Sequence, residues 1–199
     1  VINGSNFMDG LNTLTTGYCL LILFSLIFIF SNNQVIIPNY DLLLITVVSL
    51  LVVFLFNIFG KIYLGDNGAY LAAFIISILL IEISKINHRV SPFYIANLLW
   101  YPAFENFFSI IRKIIQKKSP MSPDNHHLHQ LLFAYFNKNK KFNKVFINSF
   151  TACVINSFNF IIFAFATMYY SNTKIQILII LISIFFYNLF YFIFKKRNL

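Results

Sequence analysis

The sequence predicts an all-α integral membrane protein with about six transmembrane helices and its reactive groups in loops on one side. Three observations carry that prediction. Of 199 residues, 59% are hydrophobic and only 11% charged, and the mean hydropathy is +0.75. A soluble domain carries about a quarter charged residues. The apolar residues are gathered into long continuous runs, and the basic residues gather between particular runs. Disorder is excluded by the same composition, since it requires low hydrophobicity. Cys19 and Cys153 both stand inside apolar runs, so neither a disulfide framework nor a zinc finger is being built.

A spanning helix needs roughly 20 mainly apolar residues to cross a hydrocarbon core about 30 Å thick. Residues 13–30, 42–59, 68–86, 92–115, 145–170 and 175–194 qualify. They are rich in Leu, Ile and Phe without the alternation a membrane β-barrel requires, so helices are predicted. In the fourth run Pro102 removes a backbone donor, which predicts a kink near it. Glu105 follows at a depth where a carboxylate must face protein or water. Glu82 lies nearer the other end of its span, within reach of the interface by snorkelling. Tyr40, Tyr63, Tyr169 and Tyr170 read as interfacial aromatics, and Trp100 and Tyr101 as either interfacial or deeper in the span.

The connections set the orientation. Lys61, Arg112, Lys113, Lys117, Lys118, Lys138, Lys140, Lys141, Lys144, Lys195, Lys196 and Arg197 make twelve bases on one side. Only Lys85, Arg89 and Lys174 make up the other three. The positive-inside rule then places both ends in the cytoplasm. Bases that anchor spans form no recognition face, so a nucleic-acid partner is not expected. The organisation is one membrane domain over 1–199, with cytoplasmic loops at about 1–12, 60–67 and 113–144. Its opening, VINGSNFMDGLN, has no basic n-region, apolar h-region or cleavage site, and reads as the C-terminal part of a longer protein.

Three polar clusters share the cytoplasmic side: Asn3, Asn6, Asp9 and Asn12 ahead of the first span; Asp66 in LGDNG at the start of the third; and Asp124, His126, His127 and His129 in SPDNHHLHQ. They contain three of the six acids and three of the four histidines. Each has a structural alternative. Asp66 or Asn67 can cap a helix, and Asp9-Gly10 can be a turn. The lysines can serve topology or attract anionic headgroups. In HxH the two rings share a side if the backbone is extended, whereas His126 and His129 share a face if it is helical. Functionally, a carboxylate at the surface can hold Mg²⁺, which accepts few protein ligands when phosphates complete its shell. Histidines and Arg112 or Lys113 suit phosphate. A transporter or lipid-binding scaffold is one rival reading and a non-catalytic fragment of a longer enzyme another, but transporters place their polar groups near the midplane. Polar density at one surface favours an interfacial enzyme acting on a phosphorylated lipid.

The three clusters, in this order, resemble glycosyltransferase family 4, the polyprenyl-phosphate N-acetylhexosamine-1-phosphate transferases. The family carries an NFMDG-like loop, here at 6–10, an (F/L)GD-x-G helix start, here at 64–68, and a late HxH loop, here at 127–129. YPAFE and SPMSPDNHHLHQLL are similar too, and the resemblance covers nearly the whole chain. It implies transfer of a sugar-1-phosphate from a UDP-N-acetylhexosamine to undecaprenyl phosphate, releasing UMP, at the bacterial cytoplasmic membrane. Surface-polysaccharide assembly would begin there. It further implies Mg²⁺, or Mn²⁺, on Asp66, with Asp9, His127 and His129 as the other catalytic groups. Asn3, Asn6, Asn12, Arg112, Lys113 and His126 would bind substrate, and a homodimer is compatible with it. An aspartate pair that relatives carry further upstream is absent, and Asn12 stands where many have a second aspartate.

Overall fold

The computed structural model describes residues 4, 8–32, 35–117, 119, 126–138 and 142–198. Among these, the regular elements are eight α-helices: α1 (Leu14–Ser31), α2 (Tyr40–Ile58), α3 (Gly65–Ile86), α4 (Pro92–Leu98), α5 (Trp100–Ile115), α6 (Leu128–Asn137), α7 (Lys144–Met168) and α8 (Thr173–Asn198). Five of them, α1, α2, α3, α7 and α8, are long and apolar enough to cross a membrane. They follow the predicted runs closely, because in hydrocarbon a helix alone satisfies its own backbone.

The fourth predicted span is two helices. Leu99 ends α4 and starts α5 with φ −112° and ψ 4°, so the helix breaks three residues before Pro102. The cause is local. Pro102 has no N–H for the carbonyl of Leu98, and its ring crowds that carbonyl. The Tyr18 hydroxyl, on α1, donates to Leu98 O instead, at 2.9 Å. Pro102 itself sits in the first turn of α5, where a missing N–H costs nothing.

α1 is the centre, packed against α2, α3 and α7, while α8 packs against α4, α6 and α7. The lipid-facing helices are inside-out relative to soluble ones. On α8, Gln176, Ser183, Tyr187 and Tyr191 are buried while Leu178, Leu181, Phe185, Leu189 and Phe192 are exposed. On α5, Tyr101, Glu105, Ser109 and Arg112 form the buried stripe, and Phe107, Ile111, Ile114 and Ile115 face outward. Trp100 and Tyr101 take the deeper of the two placements open to them in the sequence. Both are buried, and Trp100 Nε1 donates to Asn159 Oδ1 on α7 at 3.0 Å. Buried polar groups that find partners act as glue between membrane helices.

The two ends of the bundle are tied differently. At one end Asn148 Oδ1 accepts from the Asn12 N–H at 2.6 Å, and Asn57 Oδ1 accepts from the Thr13 N–H. These bonds join the starts of α1 and α7 to the end of α2. At the opposite end the Ser91 N–H donates to Tyr170 O at 3.0 Å. Glu82 accepts from Asn39 Nδ2 at 2.7 and 2.8 Å, so it has a protein partner as well as a path to the interface. The segment expected as a basic loop at 113–144 contains α6, which lies against α7 and α8. There Arg197 Nη1 donates to the Tyr135 hydroxyl at 2.9 Å.

Candidate active site

Asp9 lies in the turn before α1, half-buried. Burial is the main influence raising its carboxyl pKa, to about 6, and the nearby Asp66 carboxylate adds to it. The nearby Gly65 backbone and Thr15 side chain pull the other way without cancelling the rise. The first two sequence clusters, more than fifty residues apart in the chain, are therefore one electrostatic unit. Asp66 is exposed in the first turn of α3. The predicted capping alternative is not what is found: the N-cap is Leu64, and no side chain caps it. Gly65 has φ +67° with open space around a would-be Cβ, so glycine serves the left-handed turn there rather than a close approach.

The third cluster arrives from α6. His127 is its N-cap in extended geometry, and His129 lies in its first turn. The backbone turns between the two rings, yet they stack with centroids 5.5 Å apart and planes 12° from parallel. Gln130 Oε1 accepts from the His127 N–H at 3.1 Å, closing the helix start. His127 Nδ1 lies 2.9 Å from Glu105 Oε1, which also accepts from the Leu128 N–H at 3.2 Å. His129 is 1% exposed. Burial pushes its pKa down to about 4, against the opposing pull of the Glu105 carboxylate, so it is neutral at physiological pH. A Cβ on Gly10 would stand 3.1 Å from His129 Nε2. Gly10 thus brings the backbone beside Asp9 directly onto the histidine. Gly4 similarly lies against Pro102, where a Cβ would come within 2.8 Å of the carbonyl oxygen.

Other predicted residues sit differently. Arg112 is buried: its Nη1 donates to His126 O at 2.8 Å and to the Tyr191 hydroxyl at 3.1 Å, and its guanidinium lies over the Phe108 and Tyr191 rings. Those contacts hold the chain just ahead of α6. Lys113 is buried as well, whereas His126 exposes its side chain. Asn12 is buried where α1, α2 and α7 meet. Asn3, Asn6 and Asp124 lie outside the described residues. Above Thr13 an apolar groove of about 860 Å³ runs between α1, α2 and α7, lined among others by Gly17, Phe24, Phe54, Val145, Phe150 and Phe160.

Residues 1–84 match the model of glycosyl transferase family 4. Over that stretch the chain is similar to this family. It is 31% identical over 193 residues to the probable undecaprenyl-phosphate N-acetylglucosaminyl 1-phosphate transferase of Bacillus subtilis, covering 92% of this chain and 51% of that protein. It is also 31% identical over 72 residues to the undecaprenyl-phosphate α-N-acetylglucosaminyl 1-phosphate transferase of Thermotoga maritima, over 36% of this chain and 23% of that protein. The chain thus spans about half the length of the Bacillus subtilis relative, and less of the other. No solved structure matches it.

The family segment at 1–84 contains Asp9 and Asp66 but not the histidines. In the sequence Glu105 reads only as a carboxylate that must face protein or water. Its pairing with His127 comes from the tertiary structure. A signal existed: Tyr101, Glu105, Ser109 and Arg112 recur at helical spacing on an otherwise apolar helix, which marks one inward-facing polar stripe.

Proposed function

We propose that this chain supplies much of the catalytic surface of an enzyme that moves a sugar-1-phosphate from a UDP-N-acetylhexosamine to undecaprenyl phosphate. In that reaction an oxygen of the lipid phosphate bonds to the sugar-bearing phosphorus, the bond from that phosphorus to the UMP oxygen breaks, and UMP leaves. The observation carrying this reading is the meeting of Asp9, Asp66 and His129 at one end of the bundle, although they come from three separate stretches of chain. Phosphoryl transfer asks a protein chiefly to position reactants and balance charge, and this cluster holds groups suited to both.

Mg²⁺ fits the donors present. Asp9 and Asp66 offer hard carboxylate oxygens whose mutual repulsion a cation would relieve. Among the described residues there is no group of three His, Cys, Asp or Glu side chains that could form a closed cage. That suits a metal that keeps waters and shares phosphate oxygens. Bound there, it would neutralise diphosphate charge, with Asp66 its main protein ligand and Mn²⁺ an alternative. Neutral His129, together with His127, would hydrogen-bond the diphosphate, and the exposed His126 would meet the substrate further out. The start of α3 offers backbone N–H groups to the same anion. The prenyl chain would lie against the lipid-facing helices, with the apolar groove above Thr13 as its nearest channel. The basic residues of the segment before α6 and of the end of α8 support a cytoplasmic placement of this end.

The test is UMP release by the full-length protein in membranes. Asp66→Asn should lower it by at least 100-fold while insertion and expression persist. Full activity in that variant would overturn the metal role. His127→Ala and His129→Ala should each slow turnover; unchanged kinetics would return both to a structural role.

A further inference from the structure

We infer that Glu105 is a positioning residue that locks His127 with its hydrogen on Nδ1, so that Nε2 faces the reacting phosphates. Glu105 is 1% exposed, and one of its oxygens already collects two bonds from the start of α6, from His127 Nδ1 at 2.9 Å and from the Leu128 N–H at 3.2 Å. An ionised carboxylate only accepts, so the hydrogen of that contact belongs to the imidazole. A neutral histidine bonded in this way has Nε2 as its lone-pair nitrogen; a protonated one has Nε2 as a donor, with the carboxylate beside it balancing the charge. Both forms are useful beside a diphosphate, and neither is available to a ring free to rotate. The same arrangement is how a carboxylate orients a histidine in metal and hydrolase sites.

The surroundings explain why a carboxylate is kept here at all. A charge buried in a membrane protein is costly and persists where it has partners and a task. The Tyr101 and Tyr187 hydroxyls are buried against the same carboxylate, from α5 and α8. A purely structural cap on α6 needs only an uncharged acceptor, and Gln130 already provides one to the His127 N–H. The break at Leu99 makes the pairing geometrically available. It restarts the helical register at Trp100, so that Glu105 shares the inward stripe with Tyr101 and Ser109.

This inference rests on the transferase reading for its kinetic arm, and a spectroscopic arm stands apart from it. In the full-length protein, Glu105→Gln keeps an acceptor of the same shape and should lower kcat for UMP release about 10-fold to 100-fold. Glu105→Ala should lower it further. On a His127→Ala background neither change should add to the loss, because the two side chains act as one unit. With ¹⁵N-labelled histidine, the His127 ring should show the Nδ1–H form in the parent and shift toward Nε2–H in Glu105→Ala. Equal losses with and without His127, or a His127 spectrum indifferent to Glu105→Ala, would overturn the inference. Should Glu105→Ala fail to fold, Glu105→Gln still decides the kinetic arm. A parent protein that releases no UMP but shows the Nδ1–H signature would overturn the transferase reading while upholding the pairing.

Discussion

At the scale of single residues, the clearest energetic consequence belongs to Asp9. Its carboxyl pKa is raised from 3.8 to about 6, so the folded state holds this proton more tightly than the unfolded chain does. Between pH 3.8 and 6 the folded protein binds more protons, and stability falls as pH rises through that window. Above it the full penalty is present, about 1 kcal/mol once the solvent screening of a half-exposed group is allowed for. Asp9→Asn, measured in EDTA, should therefore raise the thermal midpoint at pH 7, with the gain fading below pH 4. The same variant should lose UMP release. A lower midpoint at pH 7 would show that Asp9 is held by favourable contacts instead. Raising stability while removing function is the expected behaviour of a residue kept for chemistry.

At the scale of elements, the break between α4 and α5 is the feature on which the site depends. Pro102 leaves Leu98 O without its helical donor, and Tyr18 supplies one. Tyr18→Phe should leave that carbonyl unsatisfied in a buried setting, at a cost of about 1–3 kcal/mol, read as a lower midpoint in detergent. Activity should fall less than in Glu105→Gln, since the change lies on the far side of the break from His127. An unchanged midpoint would mean that another donor replaces Tyr18. The α1–α7 contact is the second such feature. Asn156 Nδ2 donates to Thr13 O and Leu14 O at 3.0 and 3.3 Å, and a Cβ on Gly17 would run into that amide. Glycine is used here for close approach, as membrane helices commonly use small residues.

At the scale of the whole molecule, the proposed metal links separate parts of the chain. A cation that binds the folded protein alone stabilises it by mass action, by about 2.7 kcal/mol at a hundred times its Kd. Adding Mg²⁺ to metal-free full-length protein should raise the midpoint, and Asp66→Asn should abolish the rise. An equal rise in that variant would place the ion elsewhere.

Much of this was legible in the amino-acid sequence because the membrane imposes strong, local rules. Chain length and hydropathy determined the spans, and the five unbroken ones came out where the apolar runs lie. The order of Asp9, Asp66 and His127–His129 carried the resemblance to a family, and Pro102 announced irregularity in the fourth run. What the sequence could not decide was direction in three dimensions. A one-residue change in helical register turns a side chain by roughly 100°, so the placing of Glu105 on His127, of Arg112 on His126 O, and of Trp100 in the core awaited the break at Leu99 and its packing. Hydrophobicity is a property each residue carries with it. A hydrogen bond between residues 22 positions apart belongs to the packed assembly, and only the tertiary structure supplies it.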